Sequence, residues 1–412
     1  MHIGVDAQGF ISWGGGVGFI ENLLFGLASV QDKEVMITVF VPEQPARLRM
    51  LASRVKSAIL QPSKAMQHLC RTTQNLESWA SAPTLFALIR PVVVVIYDGT
   101  QASLSRFCRR MKVDVILPSM NPLENFGLPW AGYLFDCQHR YYPNFFSAHE
   151  INNRDRAFSH MLRTASVVVV NSHAVEADLN SFFPDKTTTI FSLPFAPIIR
   201  SENILSVIAE TTLVKQKYAT SDKYFIISNQ FWIHKDHGTA IKAFAIVLQD
   251  ASMRDYKLVC TGATEDYRFP GYFSELKNLI SSLGLEDKII FTGYIDKSDQ
   301  LSLINGAALM LQPTLFEGGP GGGAVFDSVA FGVPSILSDI PVNLEINDSI
   351  VTFFKTGSPH SLASEIKIAL LNLKARPTLI ELLEKSSTYA RKLGLSLLGV
   401  ASSCIENNCT SN

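Results

Sequence analysis

Short β-branched runs, each followed by a longer stretch of helical spacing, recur along this 412-residue chain. PVVVVIY (91–97) and SVVVV (166–170) would be apolar on both faces as strands, and only a sheet covered on both sides buries both. The alternation therefore selects parallel sheets sandwiched between helices. It happens twice. HIGVDA, VMITVF, VVVVIY, DVILP, GYLFD and SVVVVN supply a first sheet, and YFIISN, KLVCTG, KIIFTG, ALMLQP and PSILSD a second. Between them, residues 192–223 lose the pattern and carry two prolines followed by a polar helical segment. The expected fold class is α/β: two Rossmann-like doubly wound domains, 1–200 and 201–390, facing a central cleft, with a C-terminal helix from about 390 packing back on the first.

A hydrophobic content of 47% against 18% charged is enough for two large cores. The formal net charge of −1 gives no global reason to bind nucleic acid. Six scattered cysteines form no CxxC pair, which suits a reducing compartment. The start MHIGVDAQGF lacks the basic and apolar regions of a signal peptide, and no run is long enough to span a bilayer, so a cytoplasmic location is expected. One local run departs from this balance. From Gln44 to Leu76 there is no acidic residue, while Arg47, Arg49, Arg54, Lys56, Lys64 and Arg71 alternate with apolar residues. Such a segment either rests on an anionic membrane surface, making the protein peripheral on its inner face, or is a solvated helical face.

The unusual residues fall directly after strands, where open parallel sheets bind ligands. PTLFEGGPGGGAVFDSVAFGVPS (313–335) places Gly318, Gly319, Gly321, Gly322 and Gly323 ahead of a helix expected from about Ala324. Glycine lets the backbone approach a ligand closely, and bare amides at a helix start favour an anion such as a diphosphate. Glu317 and Asp327 beside it are acceptor-only groups that suit the hydroxyls of sugar and ribose. Lys235, just before an amphipathic helix, can neutralise charge on a leaving diphosphate. His234 and His237 read as HxxH, yet without further ligands they predict no metal site. Asp136 and His139 follow GYLF, Gln230 follows YFIIS, Tyr294 and Ile295 follow KIIFTG, and Gly15 and Gly16 lie in a second glycine loop, GGGVG, after the first strand.

ALMLQPTLFEGGPGGGAVFDSVAFGVPSILSDIPVNLEI resembles the signature region of the retaining nucleotide-sugar glycosyltransferases of GT-B fold, family four. KYFIISNQFWIHKDHGTAIKAFAIVL, LGLEDKIIFTGYI and GYLFDCQHRYYPNFFS are similar to its other landmark segments. The resemblance implies a nucleotide-sugar donor bound chiefly by the second domain, a glycan or lipid-linked glycan acceptor bound by the first, no metal and no other cofactor. Envelope or exported polysaccharide assembly is the implied setting. It gives Lys235, Glu317, His139 and Asp136 catalytic roles. Gly15, Gly16, Gln230, Lys235, Tyr294, Ile295, Glu317, Gly318, Gly319, Gly321, Gly322, Gly323 and Asp327 become donor contacts. The chain departs from the family in three places. Nine residues intervene between Glu317 and Asp327, more than is usual, and the second acid is shortened to Asp. Gln230 replaces an arginine partner of the lysine, with His234 at hand to compensate. Phe135 stands where an active-site histidine is common, so His139 takes that role. An epimerase of the same fold and a non-catalytic nucleotide-sugar-binding protein are the competing readings.

Overall fold

The computed structural model describes residues 1–12, 14–30, 35–43, 92–199, 201–220 and 222–410. They form two compact units: Met1–Pro143 with Ser147–Glu202 and Ser387–Asn412, and Asn144–Phe146 with Asn203–Ser386. The basic segment 44–76 lies outside the described residues.

The first unit holds strands β1 (His2–Asp6), β2 (Met36–Pro42), β3 (Val92–Tyr97), β4 (Val115–Ser119), β5 (Trp130–Tyr133), β6 (Val167–Val170) and β7 (Thr189–Ser192). They pair in parallel in the order β3-β2-β1-β4-β5-β6-β7. Because successive side chains alternate across a pleated sheet, each valine run feeds two cores. Val167 and Val169 pack with Ile3, Val5 and Ile37 on one face, whereas Val168 and Val170 pack with Phe40, Ile116 and Leu162 on the other. In β6 all four valines are buried, which is why that strand carries no polar alternation, whereas Ile96 of the edge strand β3 is exposed. The helix Leu379–Thr410 contributes Leu393, Leu397, Val400 and Ala401 to the first of these cores. It crosses the helix Gly14–Ser29 where two glycines meet: a Cβ on Gly394 would lie 2.0 Å from the Gly26 carbonyl oxygen.

The second unit holds β8 (Tyr224–Ser228), β9 (Lys257–Thr261), β10 (Ile289–Gly293), β11 (Leu309–Gln312), β12 (Ser335–Ser338) and β13 (Val351–Phe354), ordered β10-β9-β8-β11-β12-β13 and parallel throughout. Strand order reverses between β8 and β11, and a crevice opens beyond carboxyl ends at such a point. Phe225, Ile227, Leu258, Leu309, Leu311 and Ile336 pack one face of this sheet against Phe244, Val247 and Ile366 of the covering helices.

Two strands were not anticipated, and one was misplaced. β7 and β13 are edge strands with fewer fully buried positions than the central ones, so neither carries the continuous apolar run by which the others were recognised. GYLFD was expected as a strand, yet β5 ends at Tyr133. Leu134 stays buried and still donates its amide to the Val169 carbonyl at 3.1 Å, so the apolar run outlasts the strand.

Candidate active site

The helix Gly322–Ala330 begins two residues earlier than expected, and left-handed backbone leads into it. Gly321 and Gly322 both have φ of +68°, and a Cβ on Gly321 would lie 2.5 Å from Val325 Cβ. Only glycine fits there. The loop is not entirely bare. Gly321 donates its amide to Asn343 Oδ1 at 2.8 Å, and the Gly322 amide reaches the Gly319 carbonyl at 3.3 Å. Asn343 is itself fully buried and donates to the Ser338 carbonyl at 2.9 Å, which anchors the loop to the end of β12. The helix has no side-chain cap, so its first turn, with Gly323 exposed, presents the positive end of the dipole, and the Glu317 carboxylate lies beside Gly322 at that end.

Two ion pairs flank this helix. Lys235 Nζ donates to Glu317 Oε1, with the two side chains only 11% and 10% exposed. Lys297 Nζ donates to Asp327 Oδ2. Each carboxylate also leads to a polar relay. Glu317 Oε1 accepts a second bond from Gln312 Nε2 at 3.0 Å, and Gln312 Oε1 accepts from Asn229 Nδ2 at 2.6 Å. That amide chain joins the ends of β8 and β11 across the point where strand order reverses. On the other side, Lys297 donates to Gln300 Oε1 at 3.0 Å, Gln300 donates to Ser228 Oγ at 2.5 Å, and Ser228 bonds Thr261 Oγ1 at 2.8 Å.

The structure thus brings Lys235, Glu317, Asp327 and the glycines 318 to 323 together in the second unit. Gln230 is near them in sequence only through Asn229; its Oε1 accepts the Ala263 amide at 2.8 Å, fixing the loop after β9. Tyr294 is 67% exposed at the end of β10, with Ile295 half-buried beside it. His234 does not supply the charge missing at Gln230. Burial drives its imidazole down to about 2, with Lys235 and Arg268 adding to the shift, so the ring is neutral. His237 is fully buried, stacks on Phe231 at 4.3 Å and is pushed to about 3 by desolvation. Among the described residues no three His, Cys, Asp or Glu side chains gather as metal ligands. The cations that sequence reading missed are Lys297 and Arg268. A lysine in the first turn of a helix, where the dipole disfavours it, was the available signal for the former.

Asp136, His139, Gly15 and Gly16 belong to the first unit. GGGVG is not a loop: the helix runs from Gly14, with Gly15 exposed and Gly16 buried. Asp136 Oδ1 accepts the Gln138 amide at 2.9 Å. His139 has no exposed side-chain surface; its Nε2 bonds Asp155 Oδ1 at 2.9 Å and its ring meets Phe158 edge-on. Burial holds its imidazole below the usual range, against the raising influence of Asp155. Sequence reading also passed over Asp6. This fully buried carboxylate ends β1 and receives Tyr97 at 3.0 Å and Ser119 at 3.1 Å, the latter across the reversal between β1 and β4.

Residues 210–392 match the family described as Glycosyl transferases group 1. Mannosylfructose-phosphate synthase of Agrobacterium fabrum is 23% identical over 130 residues, which is 32% of this chain and 28% of that protein. Sucrose-phosphate synthase from Thermosynechococcus elongatus superposes with a TM-score of 0.56 at 14% identity, covering 98% of this chain and 95% of its own. HepE of Anabaena, solved with UDP and glucose, gives 0.56 at 15% identity over 100% and 99%. The two parallel, helix-covered sheets are those of the GT-B fold. Among the described residues no helix is long and apolar enough to cross a membrane.

Proposed function

We infer that this chain, which carries a group 1 glycosyltransferase domain over residues 210–392, is a metal-independent retaining transferase that moves a sugar from a nucleoside diphosphate to an acceptor hydroxyl. The observation that carries this reading is the Lys235–Glu317 pair beside an uncapped, glycine-opened helix at the reversal of strand order. An ammonium group and helix amides are what a departing diphosphate needs, and a carboxylate is what a sugar hydroxyl needs. The acceptor attacks on the face that the nucleotide leaves, and the departing phosphate takes its proton. Lys235 and the first-turn amides stabilise the phosphate charge, so no divalent ion is required. Asp327 faces the ribose hydroxyls and Tyr294 the base.

The acceptor we favour is a glycan or lipid-linked glycan of envelope or exported polysaccharide assembly, on the cytoplasmic face of a membrane approached through residues 44–76. Support for that setting is the family likeness together with the basic run. A thermal-shift screen of UDP-, GDP- and ADP-sugars tests the core of the reading, since a ligand selective for the native state raises the melting point. One nucleotide series should stand out, its shift should persist in EDTA, and the anomeric configuration of the product, read by NMR, should match that of the donor. No shift with any nucleotide sugar, or an inverted product, removes the proposal.

A further inference from the structure

The Glu317 carboxylate has two donors on one oxygen, Lys235 Nζ and Gln312 Nε2, and no protein donor reaches Oε2 among the described residues. Lys235 spends one of its three N–H donors on Glu317, and a diphosphate drawing the ammonium toward itself weakens or breaks that bond. The ammonium rides on a flexible four-carbon stem. Gln312 has no such freedom: it is fully buried at the end of β11, and its carbonyl is held by Asn229 at 2.6 Å. The link between Gln312 and Glu317 is pinned as well, because Leu315 donates its amide to the His234 carbonyl at 2.7 Å and the Thr314 hydroxyl bonds the Phe316 carbonyl at 2.8 Å.

We propose that Gln312 is a positioning residue for the transfer, holding the Glu317 carboxylate in place when Lys235 exchanges from it to the diphosphate of the donor. The proposal rests on the nucleotide-sugar reading of the same site. Glu317 then keeps one oxygen on the amide and presents the other to a sugar hydroxyl, so the acid and the ammonium, partners at rest, serve different parts of one ligand. Without the amide, Glu317 either follows Lys235 or turns away, and the sugar loses its acceptor at the moment the diphosphate gains its cation.

Gln312→Glu tests this by pH. When protonated, the new carboxyl donates an O–H to Glu317 as the amide does; when ionised, two carboxylates face each other at hydrogen-bond distance and repel. Turnover is read as release of UDP, GDP or ADP from the sugar conjugate giving the largest thermal shift, beside binding of that nucleoside diphosphate alone by calorimetry. The variant should approach wild-type kcat near pH 5.5 and lose roughly 10²-fold by pH 8, as expected for a misplaced catalytic group. Nucleotide affinity should change far less. A pH profile parallel to that of wild type, whether unchanged or uniformly lowered, overturns the proposal.

Should Gln312→Glu fail to fold, Gln312→Met decides by the split of kcat from affinity. A fall in kcat with the nucleotide Kd retained supports the role, and unchanged kcat or an equal loss in both rejects it. If wild type itself binds none of UDP, GDP and ADP and releases none of them from any conjugate, the nucleotide-sugar reading fails and this proposal with it. Normal wild-type behaviour with a flat Gln312→Glu profile rejects Gln312 alone.

Discussion

At the residue scale the candidate site is a set of charges that neutralise one another, and the proposed mechanism has a ligand divide them. Lys235→Met leaves Glu317 with only Gln312, and Glu317→Gln leaves the ammonium without its counter-charge. Each single change should cost about 1–3 kcal/mol of stability, the usual penalty for a poorly compensated buried polar group. The double variant removes both charges and should recover most of that loss, as denaturant titration would show. Turnover should not recover: Lys235→Met alone should lower kcat by about 10²–10³-fold, because in the proposed mechanism the interaction it removes belongs to the transition state. Wild-type kcat in that variant would take the lysine out of the mechanism. Asp6 gives a residue-scale prediction of another kind. Burial lifts its carboxyl to about 6, although Gln8, Tyr97 and Ser119 all act to lower it. Between pH 4 and 6 the unfolded chain ionises Asp6 while the folded chain holds its proton, so wild-type stability falls across that window. Asp6→Asn keeps an acceptor for Tyr97 and offers Ser119 a donor. Its advantage over wild type should be absent at pH 4, grow to about 3 kcal/mol by pH 6 to 7 and stay level above. A pH-independent difference in melting would contradict this.

Elements were legible where burial leaves a local trace, and obscure where it does not. Strands β4, β6, β8 and β11 have both faces buried, and their apolar runs stand out in one dimension. The edge strands β7 and β13 do not. The glycine-opened helix and its acids were readable because they lie within one short stretch. Their partners were not: Asn229 meets Gln312 across 83 positions, and Lys297 meets Asp327 across 30, so no window of sequence contains the pairs. His139 is hidden in the same way, since a histidine after a strand carries no mark of whether its ring turns outward or, as here, bonds Asp155. The helix Leu379–Thr410 offers a test of how packing, not propensity, assigns glycine. Gly394 touches the Gly26 backbone, whereas a Cβ on the exposed Gly399 would meet nothing within 4 Å. Gly394→Ala should therefore destabilise by about 1–3 kcal/mol through overpacking. Gly399→Ala on the same helix should stabilise by about 0.5–1 kcal/mol. Thermal melts of the two variants should move in opposite directions; a shared direction would mean that helix propensity alone governs both sites.

For the whole molecule, the separation of cores sets how far a local change is felt. The first unit has a core on each face of its sheet, and the second has its own, built around Phe225, Leu258, Leu309 and Phe244. Domains with separate cores open separately to a large extent. The proposed diphosphate residues all lie in the second unit, while the buried Asp6 lies in the first. The two perturbations should consequently register in different peptides by hydrogen exchange. UDP, or GDP if that is the preferred nucleotide, at about 100 times its Kd adds about 2.7 kcal/mol to the unit that binds it. The slowest amides of β8, β9 and β11 should then exchange about 10²-fold more slowly, with those of β4, β5 and β6 unchanged. Asp6→Asn at pH 7 should do the reverse, slowing β1, β3 and β4 while leaving β8 to β11 as they were. Equal slowing of both sets by either perturbation would show that the two cores open as one cooperative body, and stability effects could no longer be assigned to one unit.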